Sequence, residues 1–187
     1  MFSAALGDDA ALCPLEPHQA AELAAFTERN RAHLQPWLPW AHTVTDTESA
    51  RGLLQRYAER QAADTGRFLA IRQGGALVGG MLLMDFDTGA RSCELGAWLA
   101  PEARGRGLVT RAATRVIDWA VEERGIVRVQ WRVAPVNVAS VAVARRLGMR
   151  HEGTTRSVFE MGGERHDLAI WAVLADEWRA ARVNPHG

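Results

Sequence analysis

Apolar residues recur along this chain with two distinct periods. Between residues 15 and 34, Leu15, Leu23, Ala24, Phe26 and Leu34 lie at helical spacing, which predicts a first helix. Pro36 and Pro39 break it, because proline lacks the N–H that a helix interior needs. Residues 46–64 predict a second helix, with Asp46 or Thr47 as its cap and Glu48 in its first turn. After Gly66 the pattern becomes that of strands. Residues 67–73, 76–86 and 91–100 read as three strands joined by turns at Gly74-Gly75 and at 87–90. Helical spacing returns in Val109, Ala112, Ala113, Val116, Ile117, Ala120 and Val121, and predicts a helix beginning near Gly107. Val127, Val129, Trp131 and Val133 then alternate with Arg128, Gln130 and Arg132, as in a strand with one buried face. Residues 137–148 read as a helix stopped by Gly148. Residues 150–161 and 165–178 read as a last hairpin turned at Gly162-Gly163, and no element is assigned before residue 15.

The predicted order, α-α-β-β-β-α-β-α-β-β, alternates helix and strand only in its middle. It implies an α/β fold with a mixed, mostly antiparallel central sheet and helices on both faces. The 187 residues suit one domain, 1–187, with a substantial core. A content of 48% hydrophobic and 24% charged residues is that of an ordinary globular protein. No apolar run approaches the roughly 20 residues that cross a bilayer. The first residues have neither the basic start nor the apolar stretch of a signal peptide, so a cytoplasmic protein is expected.

The 22 basic residues, all arginine, balance 22 acidic ones. Zero net charge argues against broad electrostatic binding to nucleic acid or an anionic membrane. Cys13 and Cys93 are far apart and read as buried or half-buried thiols. His18, His33, His42, His151, His166 and His186 form no ligand pair, and no metal site is expected. Most tryptophans read as core. Trp37 and Trp40, on the proline-broken loop, are candidates for a ligand wall and equally for core or dimer residues.

The densest chemistry lies in Arg104-Gly105-Arg106-Gly107, directly before a helix. A helix start offers free N–H groups and the positive end of the macrodipole. Glycines admit a ligand close to the backbone, and guanidinium groups suit phosphate oxygens. Together they form a cradle for an anion such as a diphosphate, although a strand–helix turn with solvated arginines fits the same residues. Neither G-x-G-x-x-G nor G-x-x-x-x-G-K-[ST] is present.

The run Arg104-Gly105-Arg106-Gly107-Leu108-Val109 resembles the pyrophosphate loop [QR]-x-x-G-x-[GA] of the GNAT superfamily of N-acetyltransferases. It matches at Arg104 and Gly107 and departs at Val109. The segments HLQPWLPW, ELGAWLAPEARGRGLVTRA, VAPVNVASVAVARRLGMRHEGTTR and HDLAIWAVLADEW make the chain look like the ribosomal-protein N-terminal acetyltransferases, which act on alanine or serine termini. The resemblance implies direct attack of an amine on acetyl-CoA in a ternary complex. The acceptor is a peptide N-terminus or a small molecule, and the protein a homodimer. It places the cofactor core at about 67–150 and the acceptor side on the N-terminal helices and last hairpin.

By the same resemblance, Arg104, Gly105, Arg106, Gly107, Leu108, Val109 and Thr110 hold the pyrophosphate. Ala97, Trp98 and Leu99 offer backbone groups to the pantetheine arm. Asn137 and Ser140 match an N-x-x-S signature in which Asn137 contacts that arm and Ser140 protonates the leaving thiolate. Read from the residues alone, Asn137 is also a good helix cap and Ser140 a first-turn residue. Tyr57 is the sole tyrosine.

A glutamate expected on the strand after EGTTR falls at Phe159, with Glu160 beside it, and one step along a strand reverses the face. Glu94 is the other candidate base, acting through water, and is equally a candidate for a structural ion pair with an arginine. His33, Trp37, Trp40, Phe159 and Glu160 are the candidate acceptor-site residues. Two alternatives stay open: another acyl-CoA, such as succinyl-CoA, on the same scaffold, and a non-catalytic acyl-CoA-binding regulator.

Overall fold

The computed structural model describes residues 3–161 and 163–183; Gly162 of the last hairpin and His186 lie outside them. Strands β1 (Ala4–Gly7), β2 (Ala10–Pro14), β3 (Arg67–Gln73), β4 (Ala76–Asp87) and β5 (Ser92–Leu99) pair antiparallel in succession. β6 (Arg128–Val133) joins β5 in parallel. β7 (Arg150–Met161) and β8 (Glu164–Leu174) form a hairpin whose second strand inserts beside β6. The result is an eight-stranded mixed sheet in the order β1-β2-β3-β4-β5-β6-β8-β7.

Helices cover both faces. α1 (Ala20–Leu34), α2 (Trp40–Thr43) and α3 (Thr47–Ala62) bury Leu23, Phe26, Trp40 and Leu54 against Phe68, Leu82 and Trp98. α4 (Leu108–Asp118), α5 (Val138–Arg146) and α6 (Ala175–Val183) bury Ala112, Val116, Ala144 and Trp178 on the opposite face, against Leu69, Leu95 and Trp131. α4 supplies the crossover that a parallel β5–β6 pair requires. Asp46 caps α3, accepting from the Ser49 N–H at 2.8 Å.

The structure adds elements that the periodicity did not predict. The N-terminal hairpin β1–β2 turns through Gly7, Asp8 and Asp9, all at positive φ. The final strand stops at Leu174, and 175–183 is the helix α6 rather than more strand. α4 runs into one wider turn, Trp119–Glu123, closed by the Arg124 N–H on the Trp119 carbonyl at 3.2 Å.

One close approach fixes β5. The Trp98 indole lies directly over Gly80 of β4. A Cβ on Gly80 would stand 2.4 Å from that ring and 2.3 Å from the Leu69 carbonyl oxygen. The ring meets Phe26 at 4.9 Å and Trp40 at 5.4 Å between centroids, so it has nowhere to retreat. Gly80→Ala is therefore expected to cost roughly 1–3 kcal/mol through overpacking. The check is a lower midpoint in thermal or urea denaturation, and an unchanged midpoint would contradict this account.

Candidate active site

Strands β5 and β6 pair from Ser92/Arg128 to Leu95/Trp131 and then part, although β5 continues to Leu99 and β6 to Val133. On its other edge β5 stays paired with β4 up to Leu99 opposite Gly79. The backbone groups beyond Leu95 that face β6 therefore have no strand partner there, and of them the Leu99 backbone is met by the His33 side chain. A cavity of about 620 Å³ opens at this parting. Ala97, Trp98 and Leu99 form one wall, the loop from Arg104 to Thr110 another, and Asn137 and Ser140 a third. His33 and Trp37 reach it from the end of α1, and Trp131 stands where the strands separate.

The loop is shaped to take an anion. Gly105 and Gly107 have φ of +77° and +69°, and a Cβ on either would meet nothing within 4 Å. Gly107 is the N-cap of α4, so the N–H groups of Leu108, Val109 and Thr110 have no intrahelical partner. Val109 packs against the core while lining the cavity. The loop is braced from behind. Arg111 pairs with Asp8 of the N-terminal hairpin and donates to the Arg106 carbonyl at 3.0 Å. The brace joins residues 103 apart in the chain, and no local pattern in the sequence links Asp8 to Arg111.

Arg104 and Arg106 part company. The Arg106 side chain donates to Gln73 Oε1 at 2.8 Å, so it faces the sheet edge rather than the cavity. Arg104 lines the cavity, with Nη2 2.6 Å from His33 Nε2. Burial, reinforced by the Arg104 charge, holds the His33 imidazole below its ordinary pKa. A ring nitrogen that accepts from a guanidinium is unprotonated, in keeping with that direction.

On α5, Asn137 Oδ1 accepts from the Ser140 N–H at 3.2 Å, so Asn137 caps the helix and also lines the cavity. The Ser140 hydroxyl oxygen accepts from Trp131 Nε1 at 2.9 Å. Both lie on the α4–α5 face of the sheet.

Glu94 lies on the other face. It is mostly buried, with Oε2 3.4 Å from Arg132 Nε, so an ion pair with an arginine is present. Burial pushes its carboxyl above the ordinary carboxylate range, Arg132 partly offsets this, and Asp85 adds to it. Arg132 was not singled out in the sequence; its alternation with Trp131 and Val133 placed it on this face without revealing its partner.

Several expected residues lie elsewhere. Trp40 is a core residue rather than a ligand wall, edge-on to Phe68 and Trp98. The Trp98 indole is likewise buried, leaving only its backbone for the cavity. Tyr57 packs against Phe68 at 5.1 Å and does not reach the site. Phe159 stacks on His166 at 5.3 Å along the β7–β8 arm. A bulge between Thr155 and Phe159 precedes it, yet Phe159 still pairs with His166 and Glu160 with Arg165. Glu160 therefore takes the opposite face from Phe159, exposed and away from the cavity. Cys93 is buried, its thiol pushed up to about 12 by burial and then by Glu94, and Cys13 is half-buried. Among the described residues no group of three or more His, Cys, Asp or Glu is placed to hold a metal.

A second cavity of about 620 Å³ lies at the far end of β4, lined by Asp64, Asp85 and Asp87. Arg60 also lines it, and Asp64 is paired with Arg67 and Arg124; the cavity offers no helix start and no free strand edge of the kind found at the β5–β6 parting. The cavity at that parting suits a diphosphate: a free strand edge for amides, a helix start for phosphates and a guanidinium beside them.

Comparison with known proteins agrees with that geometry. The acetyltransferase (GNAT) domain model matches residues 11–150. The chain is 31% identical to YdaF of Bacillus subtilis (strain 168), provisionally assigned as a ribosomal N-acetyltransferase, over 97% of this chain and 100% of that protein. A crystal structure provisionally assigned as an acetyltransferase superimposes with TM-score 0.89 at 30% identity, covering 95% of this chain and 99% of that one. A ribosomal L7/L12 α-N-protein acetyltransferase in complex with coenzyme A has the same fold, with TM-score 0.89 at 21% identity over 94% of this chain and 99% of that one. The chain belongs to the GNAT acetyltransferase family, and is an enzyme that transfers acetyl groups from acetyl-CoA to amines.

Proposed function

We propose that the acceptor is the α-amine of a protein N-terminus, with ribosomal proteins the favoured class. The observation that carries this reading is the position of Glu94, a mostly buried carboxylate paired with Arg132 on the face opposite Ser140, next to but not part of the cavity lining. An α-amine has a pKa of roughly 7.7–8.0, so much of it is already neutral near neutral pH and one carboxylate suffices to take its proton. A lysine amine, near 10.4, asks for more. The provisional ribosomal assignment of YdaF and the L7/L12 acetyltransferase of the same fold support the choice of partner.

In this reading residues 67–150 hold acetyl-CoA, while the end of α1 and the β7–β8 arm shape the acceptor side. Acetyl-CoA supplies a carbonyl activated as a thioester. The free N–H groups of Leu108, Val109 and Thr110, with Arg104, take the pyrophosphate. Residues 97–99 take the pantetheine amides along the open edge of β5, and a backbone N–H there donates to the carbonyl oxygen as charge develops. Glu94, through water, accepts the amine proton on one face. Ser140 gives a proton to the departing sulfur on the other. His33, neutral, and Trp37 line the acceptor end.

Free thiol released from acetyl-CoA tests the acceptor, with alanine- or serine-starting ribosomal peptides set against polyamines and aminoglycosides. Peptide-dependent release is expected. Release only with the small amines would overturn the choice, and preference for succinyl-CoA would move the enzyme to another acyl group. Saturating acetyl-CoA is expected to raise the thermal midpoint by linkage.

Ser140→Ala is expected to lower kcat at least about tenfold with little change in CoA affinity, measured by calorimetry, because the hydroxyl acts on the leaving group rather than in binding. Glu94→Gln separates activity from stability. Because the folded pKa of Glu94 is raised, the stability it contributes is full below its ordinary value of 4.5 and is lost as pH rises through the folded value. Glu94→Gln is thus expected to lower kcat while raising the thermal midpoint at neutral pH. A lower midpoint there would contradict the direction assigned to Glu94.

A further inference from the structure

We propose that Trp131 is a positioning residue for the reaction: its indole N–H holds Ser140 Oγ so that the hydroxyl proton points at the departing sulfur. The inference rests on the reading of Ser140 as the proton donor. A serine hydroxyl has one hydrogen to give and two lone pairs to receive. In this fold one lone pair is taken by Trp131 Nε1 at 2.9 Å. Thr27, by contrast, donates its hydroxyl back to the Leu23 carbonyl at 2.8 Å, the usual habit of such side chains inside helices. No described residue accepts from the Ser140 hydroxyl, and its residue lines the cavity. The proton is thereby left for a ligand.

The indole is itself fixed. Trp131 is 2% exposed and is the last residue of β6 to pair with β5 before the strands part. It also pairs with Trp171 of β8 on its other side. An indole N–H is a donor only, so it cannot compete for the proton it orients. Ser140 sits in the first turn of α5, where the Asn137 cap and the helix dipole fix the backbone and favour negative charge.

The proton count closes. The amine nitrogen bonds to the acetyl carbon, the carbon–sulfur bond breaks, and its electron pair goes to sulfur. Sulfur takes the Ser140 proton. The oxygen left behind carries charge that the Trp131 N–H stabilises until water returns a proton to the hydroxyl, the proton shed by the amine passing through Glu94 to solvent. A hydrogen bond that strengthens as charge appears lowers the barrier without tightening ground-state binding.

The test is a double-mutant cycle on kcat with Ser140→Ala, Trp131→Phe and both. Losing a hydrogen bond to a charged group predicts a fall in kcat of about tenfold to a hundredfold for Trp131→Phe, with KM for acetyl-CoA little changed. In the Ser140→Ala background the same change should have no further effect. Equal losses in both backgrounds would mean a packing role only and would overturn the proposal. An inert Ser140→Ala would instead remove the proton-donor reading beneath it. Benzothienylalanine at position 131 keeps the ring and deletes the N–H, and replaces Trp131→Phe if that variant fails to fold.

Two further measurements separate a positioning role from a packing role. The Trp131 indole ¹H–¹⁵N signal should shift in ligand-free Ser140→Ala, and an unmoved signal would overturn the contact. Acetyl donors with a more acidic thiol should recover kcat in the Trp131 variant more than in the wild type, and equal response would overturn the leaving-group role.

Discussion

Backbone polar groups inside a folded chain must find partners, and two parallel strands that part leave a row of them open. β5 and β6 separate after Leu95 and Trp131, and the site is built around that separation. The edge of β5 beyond Leu95 has no strand partner on the β6 side. The loop from Arg104 to Thr110 lies at the end of the opening, where a helix start awaits phosphates. Glu94 lies on the α1–α3 side of the sheet and Ser140 on the α4–α5 side, so the two proton-handling roles proposed for them fall on opposite faces.

The rest of the fold keeps the gap in place. Gly79 and Gly80 let β4 approach β5 closely enough for Trp98 to lie across it, and the ring cluster of Phe26, Trp40, Phe68 and Trp98 fixes that face. On the other face Trp131 closes the paired part of β6 and is at the same time bonded to Ser140. The N-terminal hairpin lends Asp8 to Arg111, which in turn holds the Arg106 carbonyl. Site and core thus share side chains.

Much of this was legible from local pattern. Strands at 67–73, 76–86 and 91–100, and the helix after Gly107, were announced by period, glycine turns and a broad apolar stripe. The cradle was legible because glycines and arginines before a helix make chemical sense together. Three things escaped. β1 and β2 are too short for alternation to show, although Gly7-Asp8-Asp9 was a turn signal between two apolar stretches. α6 continues directly from the apolar run of β8, and Asp176 and Glu177 in its first turn are the acidic helix-start signal that marks the change. Trp40 on its proline-broken loop fitted a ligand wall and the core equally, and α2 turns it into the core.

The sequence by itself determined most of the longer elements, the glycine–arginine turn before α4 and the family resemblance, because these depend on neighbours within a few residues or on motifs with fixed spacing. Only the tertiary structure decided which polar groups meet. Glu94 and Arg132 are 38 residues apart in the chain, and Arg104 and His33 are separated by 71. Arg104 and Arg106 looked equivalent in the sequence, and the fold gives one to the cavity and the other to Gln73. Trp131 and Ser140 stand 9 residues apart on different elements, and no periodicity links a strand residue to a helix residue. Hydrogen bonds act over about 3 Å in space and are indifferent to distance along the chain, so their partners appear only once the sheet is assembled.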